Sequence, residues 1–204
     1  MRQTKAAELA EDFLGSANIF ANAISQVIER QFWLEATENQ LGLTHLKVLK
    51  LVARASPQTV TNVAAFLGVS NAAASKAVDG LVKRMLLRRV EGEKDRRTMY
   101  LTLTGLGHKR IAQYDEITRR KLTGVFDGFA TDDLQRVIEL LDRLSIQIVN
   151  HLHQNEFCVQ CGIYFRHDCP FKSLLQRQCL YLRQRDRTEQ REASPQSRPP
   201  EQVP

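Results

Sequence analysis

The sequence lacks most of the features by which membrane proteins, exported proteins and common enzymes are recognised. No stretch approaches the roughly 18 consecutive apolar residues that a transmembrane helix needs. The N-terminus leads directly into an amphipathic pattern, so it is not expected to be a signal peptide. A glycine-rich phosphate loop, a metal-hydrolase histidine pair and a nucleophile elbow are also missing. We therefore expect a cytoplasmic protein that is not an enzyme and does not contact a membrane.

The overall composition is compatible with a globular domain and leaves the partner open. Apolar residues make up 43% of the 204 residues, close to the globular average, so the chain is able to bury a core. The net charge of +6 permits a polyanionic partner but does not require one. The position of the basic residues along the chain is therefore more informative than their number.

Long amphipathic helices are predicted on both sides of a central region that holds shorter elements. Apolar residues recur at helical spacing from about residue 6 to 31 and from 104 to 128, and a last helix follows, which Thr131 or Asp132 is expected to cap. The last helix has a continuous apolar stripe, which consists of Leu134, Val137, Ile138, Leu141, Leu144, Ile148 and Leu152. The stripes of the first and last helices need another surface against which to be buried.

Two short helices joined by a glycine turn are predicted within the central region. Thr61 is expected to cap the first of them, whose inward face consists of Val63, Ala64 and Leu67. Gly68 follows where the chain must turn, a position that favours a left-handed backbone and hence glycine. Ala64 is small enough to let the two helices approach closely.

The second short helix is predicted over residues 71–85, with Ser70 as its cap. Val69, Ala74 and Ala77 are expected to fill the space between the two helices. Two helices in this arrangement form a helix-turn-helix, whose second helix fits the major groove of DNA.

A β-hairpin with a charged tip is predicted directly after the second helix. Residues 86–90 and 98–103 read as strands, and residues 91–97 between them are almost entirely charged. Seven basic and three acidic residues lie between positions 81 and 100, so this segment carries +4 of the total +6. The basic residues are Lys83, Arg84, Arg88, Arg89, Lys94, Arg96 and Arg97. Positive charge concentrated on a helix end and a hairpin is what neutralisation of DNA phosphates requires.

The order and spacing of these motifs resemble the multiple-antibiotic-resistance regulator (MarR) family over residues 5–153. The resemblance rests on Leu-Thr-His-Leu-Lys-Val-Leu at 43–49, the helix-turn-helix, the motif Asp95-Arg96-Arg97, and the following Leu103, Thr104 and Gly107. It implies a mainly α fold with a small β-hairpin wing (α+β), in which a winged helix-turn-helix is flanked by N- and C-terminal dimerisation helices. It also implies a symmetric dimer whose second helix enters the major groove and whose wing reaches the adjacent minor groove.

The resemblance also implies roles for individual residues. Arg97 matches the arginine that enters the minor groove, and Asp95 matches the acid that holds it, since pairing with a carboxylate fixes a long guanidinium side chain. Ser75 and Lys76 match the polar pair on the exposed side of the second helix. The predicted DNA-binding residues are Ser70, Asn71, Ala72, Ser75, Lys76, Lys83, Arg84, Arg88, Lys94, Asp95, Arg96 and Arg97.

The start of the second helix is suited to phosphate but poor in base-reading side chains. Ser70 and Asn71 lie at its N-terminus, where backbone N–H groups can hold phosphate. The three alanines of residues 72–74 can touch a thymine methyl group but offer no side-chain hydrogen bond. Specificity is therefore expected to depend on DNA shape and on the wing.

The resulting prediction is a transcription regulator that binds double-stranded DNA as a homodimer. The family resemblance implies repression, its commoner outcome, and a small-molecule effector, because many members bind small anionic aromatics between the dimer helices and the DNA-binding lobe. The alternative is a winged helix used for protein contact that carries a metal or redox centre. The local charge of +4 argues against that alternative.

All four cysteines of the chain fall within 22 residues outside the region of resemblance: Cys158, Cys161, Cys169 and Cys179. Three interpretations remain open. Four thiolates in a Cys-x-x-Cys pair and two single cysteines, one followed by proline, suit an iron–sulfur cluster. Structural zinc also takes four thiolates, although a second Cys-x-x-Cys pair is missing. The third interpretation is metal-free thiols that form disulfides on oxidation.

The C-terminal part of the chain is divided by composition. Residues 155–182, here called the cysteine extension, are predicted to bind the metal, and residues 183–204 are predicted to be disordered because they contain too few apolar residues. His151, His153 and His167 are nearby candidates to replace a thiolate. Because the cysteine extension continues the last helix, gain or loss of the metal would be expected to move that helix and change DNA binding.

Overall fold

A computed structural model describes residues 2–92, 97–152, 163, 164 and 169. These residues form a mainly helical fold with a two-stranded antiparallel hairpin, which confirms the predicted fold class. In chain order the elements are α1 (Arg2–Ala23), a π-helical segment (Ile24–Gln31), α2 (Phe32–Ala36), α3 (Leu43–Arg54), α4 (Val60–Leu67), α5 (Asn71–Lys83), β1 (Leu87–Glu91), β2 (Met99–Leu103), α6 (Gly105–Phe126) and α7 (Thr131–Leu152). Within the described ranges, none of the helices combines the length and apolarity of a membrane span.

The hydrophobic core lies where α2, α3, α5, α6 and the hairpin meet. Trp33, Leu81, Leu101 and Tyr114 are among its largest fully buried side chains. Trp33 Nε1 donates a hydrogen bond to the carbonyl oxygen of Gly42 at 3.1 Å. The rings of Trp33 and Tyr114 meet edge to face, with centroids 6.0 Å apart. This core holds the short helices and the hairpin against the long helix α6.

The junction between β2 and α6 gives a physical reason for the Leu-Thr-x-x-Gly pattern. The backbone N–H of Thr104 donates to the Leu86 carbonyl oxygen at 3.1 Å, and the Thr104 hydroxyl caps α6 by accepting from the Gly107 N–H at 3.1 Å. A Cβ atom added at Gly107 would overlap the Leu86 carbonyl oxygen. The close approach of α6 to the start of β1 therefore requires glycine at this position.

The first long helix differs from its prediction. Residues 6–31 were expected to form one regular helix, whereas helical structure extends from Arg2 to Ala36 and adopts π geometry between Ile24 and Gln31. Within that segment, the Ile28 carbonyl oxygen accepts a hydrogen bond from the Tyr114 hydroxyl at 3.2 Å. A donor from outside the helix that reaches a backbone carbonyl is one recognised cause of such irregularity.

The apolar stripes of α1 and α7 lie largely on the surface of the single chain. Leu9 is 61% exposed, Phe20 54%, Val137 52% and Ile148 46%. These side chains are not buried in the core of their own chain. The prediction that the two stripes are buried against another surface therefore still stands as a prediction.

The caps of α4 and α7 are not the predicted ones. Thr59, not Thr61, caps α4: its backbone is extended and its side chain accepts from the Asn62 N–H at 3.2 Å. The helix begins two residues earlier than expected, which places Thr61 inside the first turn. Helix α7 likewise begins at Thr131, so that Thr131 and Asp132 lie inside its first turn.

The second short helix also differs in two details. It ends at Lys83 because Met85 adopts a positive φ of 56°, which turns the chain toward β1. Val69 is 43% exposed and does not fill the space between the helices, whereas Ala74 is fully buried as predicted. On α4, Phe66 is buried in addition to the predicted inward residues, and Leu67 is only half-buried.

Candidate nucleic-acid interface

The two short helices are joined by the predicted glycine turn. Gly68 adopts the left-handed conformation, with φ 66° and ψ 35°. The N–H of Val69 donates to the Ala64 carbonyl oxygen at 3.1 Å, which closes the end of α4. Ser70 then caps α5, since its side chain accepts from the Ala73 N–H at 3.3 Å. The turn and the Ser70 cap, both predicted from the sequence, are confirmed.

Helix α5 presents a short row of predicted contact residues to the outside. Asn71, Ala72 and Lys76 are exposed. Ser75, which was predicted to be exposed, is half-buried, and its hydroxyl donates to Asp79 Oδ2 at 3.5 Å. Ser75 therefore faces along the helix toward Asp79 and is less accessible than Lys76.

The hairpin follows α5 and carries exposed arginines. Its two strands pair antiparallel, and Arg88 lies opposite Thr102. Arg88 Nε donates to the Thr102 hydroxyl at 3.0 Å, which holds the guanidinium on the face of the hairpin. Arg89 pairs with Asp79 of α5 through an N–O distance of 2.6 Å. That ion pair links the second helix to the hairpin.

The C-terminal end of α5 adds two further cations. Lys83 and Arg84 are exposed, and Arg84 donates to the Gly80 carbonyl oxygen at 3.0 Å. His45 of α3 lies on the inner side of this turn, beside Gly80. Burial lowers the pKa of His45, and the positive charge of Arg84 lowers it further. The neutral imidazole thus adds no charge to the cationic surface near neutral pH.

The tip of the wing is only partly described. Arg97 is exposed and lies just before β2, on the same hairpin as Arg88. Lys94, Asp95 and Arg96 fall outside the described residues, so their positions and the predicted pairing of Asp95 with Arg97 stay predictions.

The predicted metal ligands lie almost entirely outside the described residues. Cys158, Cys161 and Cys179 are not described, and Cys169 is half-buried. Among the residues that are described, no three histidines, cysteines or acids lie close enough together to hold a metal ion. The four-thiol site therefore stays a prediction from the sequence.

Sequence reasoning did not identify Asp79 as part of this surface. Asp79 contacts both Ser75 and Arg89, yet it is ten positions from its arginine partner along the chain. No helical or strand periodicity connects a residue in α5 with one in β1, so only the packing of the hairpin on the helix could reveal the pair.

The described elements define a winged helix-turn-helix: two helices joined by a glycine turn, followed by a two-stranded hairpin that is attached to the second helix. Among the described residues of 76–92 and 97, six of the nine exposed side chains are cationic: Lys76, Lys83, Arg84, Arg88, Arg89 and Arg97.

Comparisons with known proteins agree with this class. Residues 39–98 match the sequence model of the MarR family. The chain is 26% identical to the uncharacterized HTH-type transcriptional regulator YpoP of Bacillus subtilis (strain 168) over 111 residues, which cover 54% of this chain and 79% of YpoP.

Solved structures show the same fold. The MarR family transcription regulator SP03579 has a TM-score of 0.64 at 14% identity, covering 76% of this chain and all of that one. FabT of Streptococcus pneumoniae, whose structure was determined in complex with DNA, has a TM-score of 0.57 at 20% identity and covers 72% of this chain and 99% of its own. Over residues 39–98 this chain is therefore similar to the MarR family, and its fold is the winged-helix fold of solved MarR-type structures.

Proposed function

We propose that this regulator is a homodimeric repressor that binds duplex DNA sequence-specifically through α5 and the hairpin. The observation that carries the proposal is the exposed cationic surface formed by Lys76, Lys83, Arg84, Arg88 and Arg97 on those two elements. Neutralisation of phosphates by such side chains releases counterions and supplies most of the affinity for DNA. FabT, which shares the fold, was crystallised with DNA, and this supports the proposal.

The different parts of this surface have different roles, which follow from side-chain chemistry. The N-terminus of α5, with Ser70 and Asn71, presents backbone N–H groups suited to a phosphate. Ala72 and Ala73 are exposed beside them and offer only methyl contacts to bases in the major groove. Lys76 and Arg97 add long cationic side chains, which are attracted to phosphates and to narrow grooves. Because the exposed alanines offer no side-chain hydrogen bond to a base, discrimination between DNA sequences is expected to depend on groove shape.

The experiment measures DNA affinity against salt concentration. A binding site is first selected from fragmented genomic DNA, and fluorescence anisotropy then follows binding of a labelled oligonucleotide. The variant Lys76→Ala combined with Arg97→Ala is expected to weaken binding and to reduce the slope of log K against log salt by about one for each phosphate that is no longer neutralised. Arg136→Ala is the matched control, because Arg136 is a 77% exposed cation on α7, outside the winged helix.

Two outcomes would contradict the proposal. One is a wild-type protein that shows no salt-sensitive affinity for any genomic fragment. The other is an equal loss of affinity in the Arg136→Ala control and the double variant. Retention of a protein ligand by a chain without affinity for DNA would favour the winged helix as a protein-contact module.

We also propose that the four thiols of the cysteine extension bind a metal that controls DNA binding. The support is the sequence: all four cysteines lie within 22 residues that closely follow α7. An iron–sulfur cluster and a structural zinc ion remain the two candidates. Anaerobically purified protein with broad visible absorbance and bound iron would indicate the cluster. A colourless protein with one zinc per chain would indicate zinc, and a chain without metal would contradict both.

We further propose that a small-molecule effector binds in the groove between α2 and α6. It has a volume of about 460 Å³ and is lined by charged and apolar side chains that include Glu35, Lys109, Arg110 and Ile117. This volume falls in the range of small-molecule sites. Titration with small aromatic acids, followed by DNA affinity, would test it.

A further inference from the structure

The cationic surface of the winged helix also contains the single acid of α5. Asp79 follows Ala72 by seven positions and Lys76 by three, so the three residues share one face of the helix. The Asp79 side chain is 44% exposed. A carboxylate at this position repels DNA phosphates, so its charge does not add to the affinity for DNA. Its contribution to binding has to come from the groups that it holds.

The two carboxylate oxygens of Asp79 contact different elements. Oδ1 lies 2.6 Å from Nη2 of Arg89 on β1, and Oδ2 accepts a hydrogen bond from the Ser75 hydroxyl at 3.5 Å. The Arg89 side chain is 36% exposed, so the ion pair lies at the outer edge of the contact between α5 and the hairpin. Because an arginine–carboxylate pair is charge-assisted and directional, it fixes the position of β1 relative to α5.

The two neighbouring arginines of β1 have different partners because they lie on opposite faces of the hairpin. Side chains alternate along a strand, so Arg89 shares a face with the buried Leu87 and lies opposite the fully buried Leu101. Arg88 lies on the other face, where it donates to the neutral hydroxyl of Thr102 and keeps its charge available for a phosphate. The charge of Arg89 is instead neutralised by the acid of α5.

We propose that Asp79 is a positioning residue that determines specificity: through Arg89 it fixes the angle between α5 and the hairpin, and it lowers the general affinity for DNA. This inference rests on the proposed function, because it concerns how the same surface discriminates between DNA sequences. An exposed ion pair contributes little to global stability, so this pair acts on the geometry of the surface. A DNA sequence that fits both elements at once gains from a fixed angle, whereas any sequence gains from an additional free cation.

The decisive variant is Asp79→Asn, which removes the charge with little change in shape. Affinity for a random-sequence duplex is expected to rise by about two- to threefold at low salt, and the slope of log K against log salt is expected to steepen by about one, because Arg89 becomes free to neutralise a phosphate. Affinity for the selected binding site is expected to fall. The ratio of specific to non-specific affinity then decreases about tenfold, comparable to the effect of one mismatched base pair.

Two further variants separate the ion pair from other roles of the carboxylate. Arg89→Gln breaks the same pair and leaves Asp79 in place, so it is expected to reduce the specificity ratio to a similar extent. The double variant is expected to be little worse than either single variant, since both changes break one interaction. Glu91→Gln is the matched control, because it removes an exposed acid from the same strand at a position without an ion pair to α5 among the described residues. It is expected to raise both affinities alike and to preserve their ratio.

A second measurement does not involve DNA. Amide hydrogen exchange in β1 and β2 of the DNA-free protein is expected to be about threefold faster in Asp79→Asn and in Arg89→Gln than in the wild type, because the hairpin opens more often when its link to α5 is lost. The urea midpoints of both variants are expected to stay close to that of the wild type.

Several results would overturn the proposal. One is a specificity ratio that Asp79→Asn leaves unchanged. Another is a loss in Asp79→Asn that Arg89→Gln does not share, because the carboxylate would then read a base directly. Wild-type exchange rates in both variants would exclude the fixed angle. A wild type without salt-sensitive affinity for any genomic fragment would contradict the proposed function and with it the role in specificity, whereas faster exchange in the two variants would still show the link between α5 and the hairpin.

Discussion

Met85 adopts a backbone conformation that its side chain disfavours. Its φ is 56°, in the left-handed region, and it lies where α5 turns into β1. The N–H of Leu86 donates to the Leu81 carbonyl oxygen at 2.9 Å, and the N–H of Met85 donates to the Val82 carbonyl oxygen at 2.9 Å. This pair of hydrogen bonds is the helix-ending arrangement in which glycine is the usual left-handed residue. The Met85 side chain is 69% exposed, so it contributes little burial in return.

Met85→Gly is therefore expected to stabilise the fold by about 1 kcal/mol, because it removes the left-handed penalty of a residue with a Cβ atom. Unfolding in urea, monitored by circular dichroism, measures this change. Met99→Gly in β2 is the control and should destabilise, since Met99 is in an ordinary extended strand. A loss of stability in Met85→Gly would show that the contacts of the Met85 side chain contribute more to stability than its left-handed backbone conformation costs.

His45 makes stability depend on pH in a predictable direction. Burial, and then the charge of Arg84, hold its pKa below the ordinary value, and its Nδ1 is buried without a hydrogen-bond partner in the described part of the chain. Well above about pH 6.5 the imidazole is neutral in both the folded and unfolded states. As the pH falls below that value, the unfolded chain takes up the proton first, so the free energy of unfolding decreases.

We expect His45→Gln to reduce the loss of stability between about pH 7 and pH 5.5. Urea midpoints across this range measure the effect. His108→Gln, at an exposed position on α6, is the control and should leave the wild-type pH profile unchanged. An identical profile in His45→Gln and wild type would rule out His45 as the source of the dependence.

The packing of α6 on the hairpin depends on a single small residue. Gly107 lies in the first turn of α6, where an added Cβ would overlap the Leu86 carbonyl oxygen. Gly105 starts the same helix, but a Cβ there would meet nothing within 4 Å. The two glycines thus share an element and differ only in their surroundings.

Gly107→Ala is expected to destabilise the fold by about 1–3 kcal/mol, because α6 must move away from β1 to make room. Gly105→Ala should be neutral or stabilising by up to about 1 kcal/mol, since alanine is the better helix former. Thermal or urea unfolding distinguishes the two. Similar effects in both variants would mean that the junction relaxes easily.

At the level of the elements, local signals in the sequence predicted much of the winged helix. The Gly68 turn and the Ser70 cap were placed correctly and both strands to within one residue, because each depends on residues a few positions apart. The same reasoning placed the cap of α4 at Thr61 instead of Thr59. Both threonines suit a cap, and only the extended backbone at Thr59 distinguishes them.

The exposed apolar stripes of α1 and α7 bear on how two copies of the chain assemble. Side chains such as Phe20 and Val137 are more than half exposed in the single chain. Apolar faces of this extent in a regulator proposed to be a dimer are expected to cover each other between subunits.

Leu141→Glu, which places a charge in the stripe of α7, is expected to shift the protein from dimer to monomer in analytical ultracentrifugation and to lower Tm. Gln147→Glu adds the same charge at an exposed polar position on α7 and should leave the dimer intact. A wild type that sediments as a monomer at micromolar concentration would contradict the proposed dimer directly.

Local spacing in the sequence was enough to predict the two short helices, the glycine turn, the hairpin and the concentration of positive charge, because each of these depends on residues a few positions apart. Which distant residues meet became clear only from the way the elements pack together. The pairing of Asp79 with Arg89, the requirement for glycine at position 107 and the burial of Ile163 in the core that contains Trp33 and Tyr114 all join separate parts of the chain. Such contacts arise from the packing of whole surfaces, to which residues far apart in the chain contribute together, and no local pattern records them.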